Sequence, residues 1–293
     1  MDDVIRDHAA RVRAADPLVA GQDELAEPNA APIETRAAAG LATVDRIDPG
    51  SMRASWSPLL VHRLQARVSG PDPEAALGGL LDRWTAGLRL DRWAEQALAV
   101  TWPSRDTAPV RALAVRGFAP IAVAGVRRLR ERTVSAPSVR RAGEGDLAGV
   151  ARMYERLLAY EAQFGWVSVR ASTSARIREF LATEVLSLEW CWIAELDGEP
   201  VGCVIVQPPA RSSWMARTVS VGPVAYLSAM YVEPHVRGQG VSAALAAVAH
   251  GYAAAQGVTW MTLHHALPNP LSTPFWARQG YRPLITQWAR HER

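Results

Sequence analysis

The sequence predicts an α/β fold with a mixed sheet, built from two similar halves. Three observations lead to this prediction. Apolar segments of strand length alternate with helical patterns along the whole chain. Pairs of residues recur at one constant separation, which indicates an internal repeat. Within the second half, a strand-like segment at 226–232 runs through a glycine-rich loop into a long alanine-rich helix.

Length and composition limit the class of protein. The 293 residues are enough for two domains, and 49% hydrophobic with 21% charged residues is typical of a soluble globular protein. No apolar stretch approaches membrane-spanning length, and the charged start lacks a signal-peptide pattern, so we expect a cytoplasmic protein with no membrane partner. Cys191 and Cys203 fall in predicted strands and are expected to be reduced core residues. The basic run 127–132 lacks interleaved aromatic residues, so we expect no nucleic-acid partner.

The first half shows the order helix, strand, strand, helix, strand, helix, strand. Asp48-Pro49-Gly50 predicts the turn between the first two strands, and Gly117 predicts the end of the last helix. Leucines at three- and four-residue steps predict the long central helix. The predicted bounds are 2–15, 36–47, 52–68, 73–96, 97–102, 106–116 and 121–126.

The second half begins after a linker predicted at 133–137, which divides the chain into domains 1–132 and 138–293. Asp197-Gly198 predicts a hairpin turn, and Ser172 or Thr173 is expected to cap a helix. The predicted strands are 139–142, 190–196, 201–206, 224–232, 259–263 and 284–289. The predicted helices are 146–160, 172–184, 242–256 and 271–279.

The two halves repeat at a separation of 163 positions. Asp106 and Asn269 stand in this relation, as do Gly117 and Gly280, Pro120 and Pro283, and Leu64 and Leu227. The same offset places Glu74 to Gly78 against Arg237 to Val241, so the first copy has neither the arginine nor the two glycines. We therefore expect a first domain that keeps the fold and has lost an anion site.

The glycine-rich loop predicts binding of a bulky anion. A helix N-terminus exposes backbone N–H groups and carries partial positive charge. Gly238 and Gly240 allow the backbone to approach an anion closely, and Arg237 adds a positive charge. A pyrophosphate is the group that fits this pattern.

At this point the second half, from about 138 to 290, resembles the GNAT superfamily of N-acetyltransferases. The motif is Val232-Glu233-Pro234 followed by Arg237-Gly238-Gln239-Gly240-Val241-Ser242, together with Asn269 and Gly280-Tyr281. Ser242 replaces the usual glycine or alanine, and Trp276 stands where the family has a tyrosine.

The resemblance implies acetyl-CoA as co-substrate and no metal. The backbone of Met230, Tyr231 and Val232 would pair with the pantetheine arm, with a strand amide near Val232 polarising the acyl carbonyl. Asn269 would contact pantetheine. The pyrophosphate would be held by the loop and the start of the helix: Arg237, Gly238, Gln239, Gly240, Val241 and Ser242.

Catalytic candidates follow from the proton that an attacking amine must lose. His264, at a strand end, is the favoured base because an ordinary histidine pKa near 6.5 suits the task; the alternative is a polar strand-end residue. Glu233 is the second candidate, although a solvated acid is the commoner role. Because Trp276 has no titratable hydroxyl, Tyr231 or Tyr226 could protonate the thiolate, or solvent could do so.

The sequence thus predicts an N-acetyltransferase that transfers the acetyl group directly to an amine of a small molecule. Trp166 and Trp214 lie in segments that could frame a partly aromatic acceptor pocket. The alternative is a non-catalytic acyl-CoA-binding or regulatory protein. The sequence leaves open the acceptor, the acyl chain preference, and whether the protein is a monomer or a homodimer.

Overall fold

Strands from both halves of the chain form one mixed sheet. The computed structural model describes residues 1–91, 94–131, 136 and 138–292. The strands are β1 Ala31–Glu34, β2 Ala38–Arg46, β3 Leu60–Val68, β4 Gln96–Pro103, β5 Ala119–Arg128, β6 Val139–Arg141, β7 Trp190–Leu196, β8 Glu199–Gln207, β9 Val224–Val232, β10 Trp260–Ala266 and β11 Arg282–Glu292.

Helices pack on both faces of this sheet. They are α1 Asp2–Ala15, α2 Pro73–Ala86, α3 Val110–Ala114, α4 Leu147–Glu161, α5 Thr173–Phe180, α6 Leu186–Leu188, α7 Val241–Ala255 and α8 Ser272–Arg278. Helix α7 shares a core with Leu227 and Val232, whereas α4 and α5 share another with Ala229 and Tyr231. The predicted mixed α/β fold is confirmed.

The last strand of each half pairs within the other half. The strand order is β1-β2-β3-β4-β11-β5-β10-β9-β8-β7-β6. Strand β11 lies antiparallel between β4 and β5, and β5 lies antiparallel between β11 and β10. The pairs β3–β4 and β9–β10 are parallel. The sheet therefore runs continuously from one half to the other.

The predicted domain bounds, 1–132 and 138–293, stay a prediction. Four of the five residues of the predicted linker 133–137 lie outside the described residues, and only residue 136 is described. The exchange of β5 and β11 adds a physical constraint, because neither half can complete its sheet without a strand from the other.

Most elements match their predicted bounds within a few residues, and three predictions were wrong. The helix predicted at 73–96 ends at Ala86, where Gly87 follows. Residues Met52–Ser55 form a 3-10 turn rather than strand. Strand β1 was not predicted, because Ala31–Glu34 is a short and mostly exposed edge with little apolar pattern.

The 163-residue repeat relates most elements of the two halves. Shifted by 163, β3, β4, α3 and β5 fall within two residues of β9, β10, α8 and β11. Helix α2 is the exception. It begins at Pro73, so Glu74 to Gly78 lie inside a helix and are not a degenerate copy of the glycine loop. The loop before α2 is residues 69–72, against 233–240 before α7, and a longer segment after α2 restores the offset.

Candidate functional site

Strands β9 and β10 separate partway along their length. Their parallel pairing runs from Val224 and Trp260 to Leu227 and Leu263, and then stops. Beyond this point β9 continues beside β8 as far as Val232, while β10 continues beside β5 as far as Ala266. The facing edges of 228–232 and 264–266 therefore open a gap in the sheet, and unpaired strand edges of this kind can accept an added extended chain.

A bulge at Ser228 accompanies this gap. Ile205 pairs with Ala229, but Val206 pairs with Leu227, so one extra residue lies in β9. The bulge shifts the alternation of side chains, because Leu227 and Val232 then face the same core with α7. Ala229 faces α4 and α5 on the opposite side of the sheet. Side chains that pack on opposite faces of the sheet, such as Leu227 and Ala229, therefore both border the gap.

The loop between β9 and α7 presents backbone N–H groups. Gly238 and Gly240 adopt φ angles of +81° and +87°, a left-handed conformation that glycine adopts without strain. Gly240 caps α7 without a side-chain hydrogen bond, and Ala244 N donates the first intrahelical bond, to Gly240 O. The amides at the start of α7, including those of Val241 and Ser242, therefore lack intrahelical acceptors and suit an anion.

Arg237 places a fixed positive charge beside this loop. Its Nε donates to the carbonyl of Val232 at 3.0 Å. Its guanidinium carbon lies 5.6 Å from the ring centroid of Tyr160 and 5.7 Å from that of Tyr231. Two aromatic faces and one carbonyl thus hold the guanidinium at the end of β9.

A cavity of about 480 Å³ lies at the gap in the sheet, a volume in the range of small-molecule sites. Met230, His264 and Trp276 line it, as do residues of the first half such as Trp56 and Ala122. The exchanged strand β5 carries Ala122 directly opposite Ala266 of β10. The interleaved sheet is thus what brings the first half to the wall of the cavity.

His264 lies in the cavity wall immediately after the last β9–β10 pair. Its Nδ1 lies 3.1 Å from the hydroxyl of Tyr226, and its ring stacks on Trp214 with centroids 6.2 Å apart. The side chain is exposed to the cavity, and desolvation by the groups around it, with a smaller contribution from His265, lowers the pKa of His264 to about 4. This pKa lies below the ordinary histidine value on which the prediction was based, and a lowered pKa favours the neutral imidazole at pH 7.

Glu233 and Tyr231 are not among the residues that line the cavity. Glu233 is buried rather than solvated, and it pairs with Arg156. The Tyr231 hydroxyl donates to Glu233 Oε2 at 3.4 Å, and burial raises the pKa of Tyr231. The structure thus gives both side chains a role in holding the end of β9 to α4, which weighs against the predicted catalytic roles.

Asn269 is buried and its side chain is hydrogen-bonded within the protein through both of its polar atoms. Its Oδ1 accepts from the amides of Leu271 and Ser272 at the start of α8. Its Nδ2 donates to Glu161 Oε1 at 2.7 Å. These bonds orient α8 against the end of α4. Because Nδ2 carries a second hydrogen, they do not exclude the predicted contact of this side chain with pantetheine, which stays a prediction.

The tryptophans and cysteines fall into distinct environments. Trp166 and Trp276 line the cavity, whereas Trp214 packs behind it against His264 and Tyr226. Both cysteines are free and buried, and burial raises the pKa of the Cys203 thiol to about 12. Cys203 is therefore an inert core residue, as expected.

The sequence did not predict that Glu161, Met52, Trp56 and Phe180 contribute to the site. All four line the cavity. Glu161 directly follows the predicted helix 146–160 and resembles any solvated residue there, and the others belong to segments distant in sequence. No local pattern marks such residues, because the tertiary fold alone brings them together.

Among the described residues no helix is long and apolar enough to span a bilayer. Within the same ranges no group of three His, Cys, Asp or Glu side chains is arranged to hold a metal ion.

Comparison with known protein families matches the segment that contains the gap. The family model described as the acetyltransferase (GNAT) family matches residues 167–281, which include the gap, the glycine loop and α8. This segment is therefore a GNAT acetyltransferase domain. A search of curated proteins gives no match.

Solved structures show the fold. A GCN5-related N-acetyltransferase from Sphaerobacter thermophilus is similar with a TM-score of 0.55 and 13% identity, over 88% of this chain and 77% of that chain. A GCN5-related N-acetyltransferase from Kribbella flavida is 12% identical over 100% and 96% of the two chains, with a TM-score of 0.45. A tandem GNAT protein from the clavulanic acid biosynthesis pathway is 12% identical over 92% and 85%, with a TM-score of 0.43. At 13% identity the likeness to the Sphaerobacter thermophilus protein concerns the fold and not the substrate.

Proposed function

We propose that the protein transfers the acetyl group of acetyl-CoA to an amine of a small molecule. The observation that carries this proposal is the alignment of two complementary features along β9. The strand edge that opens after Leu227 ends in a loop and helix N-terminus with amides available for an anion. A ligand with an extended polar arm and a pyrophosphate fits both features at once.

The residues that line these features fit coenzyme A. Cβ atoms added at Gly238 or Gly240 would meet nothing within 4 Å, so the space beside the loop is open. The amides from Gly238 to Ser242 would hold the pyrophosphate, and Arg237 would add charge. Acyl-CoA supplies the acyl group as a reactive thioester. The edge of Met230 to Val232 would bind the arm that carries it.

His264 is the proposed base. Because it is neutral at pH 7, one imidazole nitrogen is free to accept the proton that the amine loses as the new C–N bond forms. Tyr226, hydrogen-bonded to His264 and bordering the cavity, is the proposed proton donor to the leaving thiolate, and burial raises the pKa of this tyrosine above its ordinary value. Trp276 borders the same cavity and lacks an acidic hydroxyl.

The alternative is a protein that binds acyl-CoA without catalysis. Trp276 in place of tyrosine is the observation that favours it. The two proposals share donor binding and differ in turnover, so two measurements separate them.

Calorimetry with acetyl-CoA tests the donor site. We expect Arg237→Glu to weaken binding about a hundredfold or more, because a repulsive carboxylate replaces the fixed guanidinium. Arg152→Glu makes the same charge change at an exposed position of α4 and should bind as wild type does. Full affinity in Arg237→Glu would refute the pyrophosphate site.

Release of free thiol over a panel of amines tests turnover. Donor binding without thiol release from any amine would favour the non-catalytic alternative. If His264 is the base, activity should have an acid limb near pH 4, and His264→Ala should lower kcat and remove that limb. An unchanged pH profile in His264→Ala would dismiss the base assignment.

A further inference from the structure

The cavity is lined by one acidic side chain and by a group of aromatic side chains. Among the residues that line it in the described part of the chain, Glu161 is the only acid and Arg53 the only arginine. Arg53 is exposed and already paired with Asp45, at 3.0 Å. Most of the remaining lining side chains are apolar or aromatic. The wall therefore offers a single place for a positively charged group.

Glu161 is a carboxylate without a cationic partner among its described contacts. Its hydrogen-bond partner is the neutral amide of Asn269, at 2.7 Å. Burial raises the pKa of Glu161, and the only opposing effect is that bond. It ends α4, where the helix dipole is negative. A partly buried carboxylate in this setting is stabilised by an N–H donor or a cation from a ligand.

The aromatic wall is built by both halves of the chain. Trp56 lies edge-on to Tyr154, with centroids 6.2 Å apart, and Tyr154 lies edge-on to Phe180 at 6.2 Å. Hydrogen bonds fix the segment that carries Trp56 to the second half. Arg170 Nε donates to Ala54 O at 2.9 Å, and Ser168 N donates to Ser55 O at 3.0 Å. This surface is preorganised for a rigid apolar group.

Two further polar groups at the cavity lack a partner. Ser272 Oγ and Trp166 Nε1 belong to lining residues, are buried, and have no hydrogen-bond partner in the described structure. Both atoms are inaccessible to solvent, so a ligand would reach them only if neighbouring side chains shifted.

We propose that the acceptor is a small molecule with a single primary amine on an aromatic or comparably bulky apolar body. The amino group binds Glu161, and the body packs against Trp56, Tyr154 and Phe180. Polyamines and aminoglycosides, which carry several ammonium groups, would have to bury charges that no further carboxylate in the wall can match. This inference rests on the proposed acetyl transfer and specifies its acceptor.

The test compares acceptors on the full-length protein with acetyl-CoA. The probes are 2-phenylethylamine, ethylamine, 2-phenylethanol and spermidine. We expect kcat/KM for 2-phenylethylamine to exceed that for ethylamine about tenfold to a hundredfold, because the ring is buried. Spermidine and 2-phenylethanol should be poor acceptors. A higher kcat/KM for spermidine or ethylamine than for 2-phenylethylamine would overturn the inference.

Variants test the two proposed contacts of the acceptor, one between its amine and Glu161 and one between its apolar body and Trp56. Glu161→Gln should raise KM for 2-phenylethylamine about tenfold while kcat changes little, because a binding contact is lost and the base is kept. Glu155→Gln, on the same helix but outside the cavity wall, is the matched control and should behave as wild type. Trp56→Leu should reduce the preference for 2-phenylethylamine over ethylamine. Unchanged KM in Glu161→Gln, or an unchanged preference in Trp56→Leu, would contradict the assigned contacts.

Failure of this inference differs from failure of the proposed function. If calorimetry shows no binding of acetyl-CoA, the proposed function itself is wrong. If acetyl-CoA binds and thiol is released with spermidine but not with 2-phenylethylamine, the function stands and the acceptor class is wrong. If acetyl-CoA binds but calorimetry detects no binding of 2-phenylethylamine to the donor complex, the acceptor class is also overturned.

Discussion

Both halves of the sheet contain a parallel strand pair that stops pairing partway, but only the second leaves its gap open. In the first half β3 and β4 pair from Leu60 and Gln96 to Leu64 and Val100. The last of these pairs corresponds, at the offset of 163, to Leu227 and Leu263. The same backbone topology therefore occurs twice.

Side chains of α1 occupy the strand edge in the first half. Val68 N donates to His8 Nδ1 at 3.3 Å, and Val68 O accepts from Arg11 at 2.9 Å. Arg11 also pairs with Asp106, which corresponds to Asn269 at the same offset. The N–H and C=O groups of Val68 on this strand edge are therefore already hydrogen-bonded within the protein.

The N–H groups at the start of α2, in the first half, are also less available to a ligand. The carboxylate of Asp72 accepts from Ala75 N at 2.9 Å, and Pro73 removes one N–H from the first turn of α2. Gly240 leaves the equivalent amides of α7 uncapped. The comparison teaches that a shared fold becomes a binding site only where its backbone groups are left without internal partners.

The largest expected effect concerns His8 and Arg11 of α1, the two side chains that occupy the strand edge in the first half. We call these two side chains the α1 plug. Arg11→Met should lower the free energy of unfolding by about 3–5 kcal/mol, because Asp106 is only 4% exposed and would lose its charged partner. Urea denaturation measures this. Arg13→Met, which breaks an exposed pair with Asp23 on the same helix, should have little effect.

A second substitution separates loss of the pair from general damage. Adding Asp106→Asn to Arg11→Met removes the unpaired carboxylate and should restore part of the stability. A loss below about 1 kcal/mol in Arg11→Met would show that the plug contributes little to the fold.

The next prediction concerns the N–H groups at the start of α7. It tests whether a carboxylate introduced there can occupy them, as Asp72 occupies the N–H of Ala75 at the start of α2. Gly240→Asp should weaken acetyl-CoA binding about a hundredfold by repulsion and competition for the amides. Gly240→Asn places a neutral side chain of the same shape at the same φ of +87°, so it controls for backbone strain. Equal loss in both variants would mean that strain and not charge is responsible.

The stability of the plug should depend on pH. Burial, with Arg67 and Arg11 nearby, lowers the pKa of His8 to about 2 in the folded protein, against about 6.5 when unfolded. Between these values the unfolded state binds the extra proton, so stability falls as pH falls below about 6.5. At pH 5 the loss due to His8 should be about 2 kcal/mol.

Denaturation of wild type and His8→Gln at pH 7 and pH 5 checks this prediction. The variant should lose less stability between the two pH values than wild type does. An identical loss in both proteins would show that His8 does not contribute to the pH dependence.

The smallest expected effect is at the cap of α2. Asp72→Ala should cost about 1 kcal/mol of stability, because Ala75 N loses its acceptor. Asp72→Asn keeps an acceptor oxygen and should retain most of the stability. Thermal denaturation of the two variants side by side makes the comparison, and equal Tm values for Asp72→Ala and wild type would exclude a capping role.

Short-range patterns predicted much of the fold. Helix α1 and strand β9 have the predicted bounds, and the hairpin turn at Asp197 and Gly198 adopts positive φ angles as its residues require. Such features depend on neighbouring residues, which the sequence displays directly. The glycine loop was located for the same reason. The helix predicted at 73–96 failed because apolar spacing continued past Gly87, where the helix ends.

The candidate site was predicted only in part. His264 was placed in the cavity wall, but its pKa depends on the packing of distant side chains. The contacts of Glu233 and Asn269 were missed because Arg156 lies 77 positions from Glu233, and Glu161 lies 108 positions from Asn269. No local motif specifies pairs at such separations.

Residue order along the chain predicted most of the strands and helices and the position of the glycine loop, since each is encoded within a few neighbouring residues. Only the tertiary structure decided which strand lies beside which, and therefore that β5 and β11 exchange partners. It also decided that Arg11 meets Asp106, 95 positions away, while the gap between β9 and β10 beyond Leu227 stays open. These outcomes depend on which long-range contacts satisfy buried polar groups, and that balance is set only when the whole chain has folded.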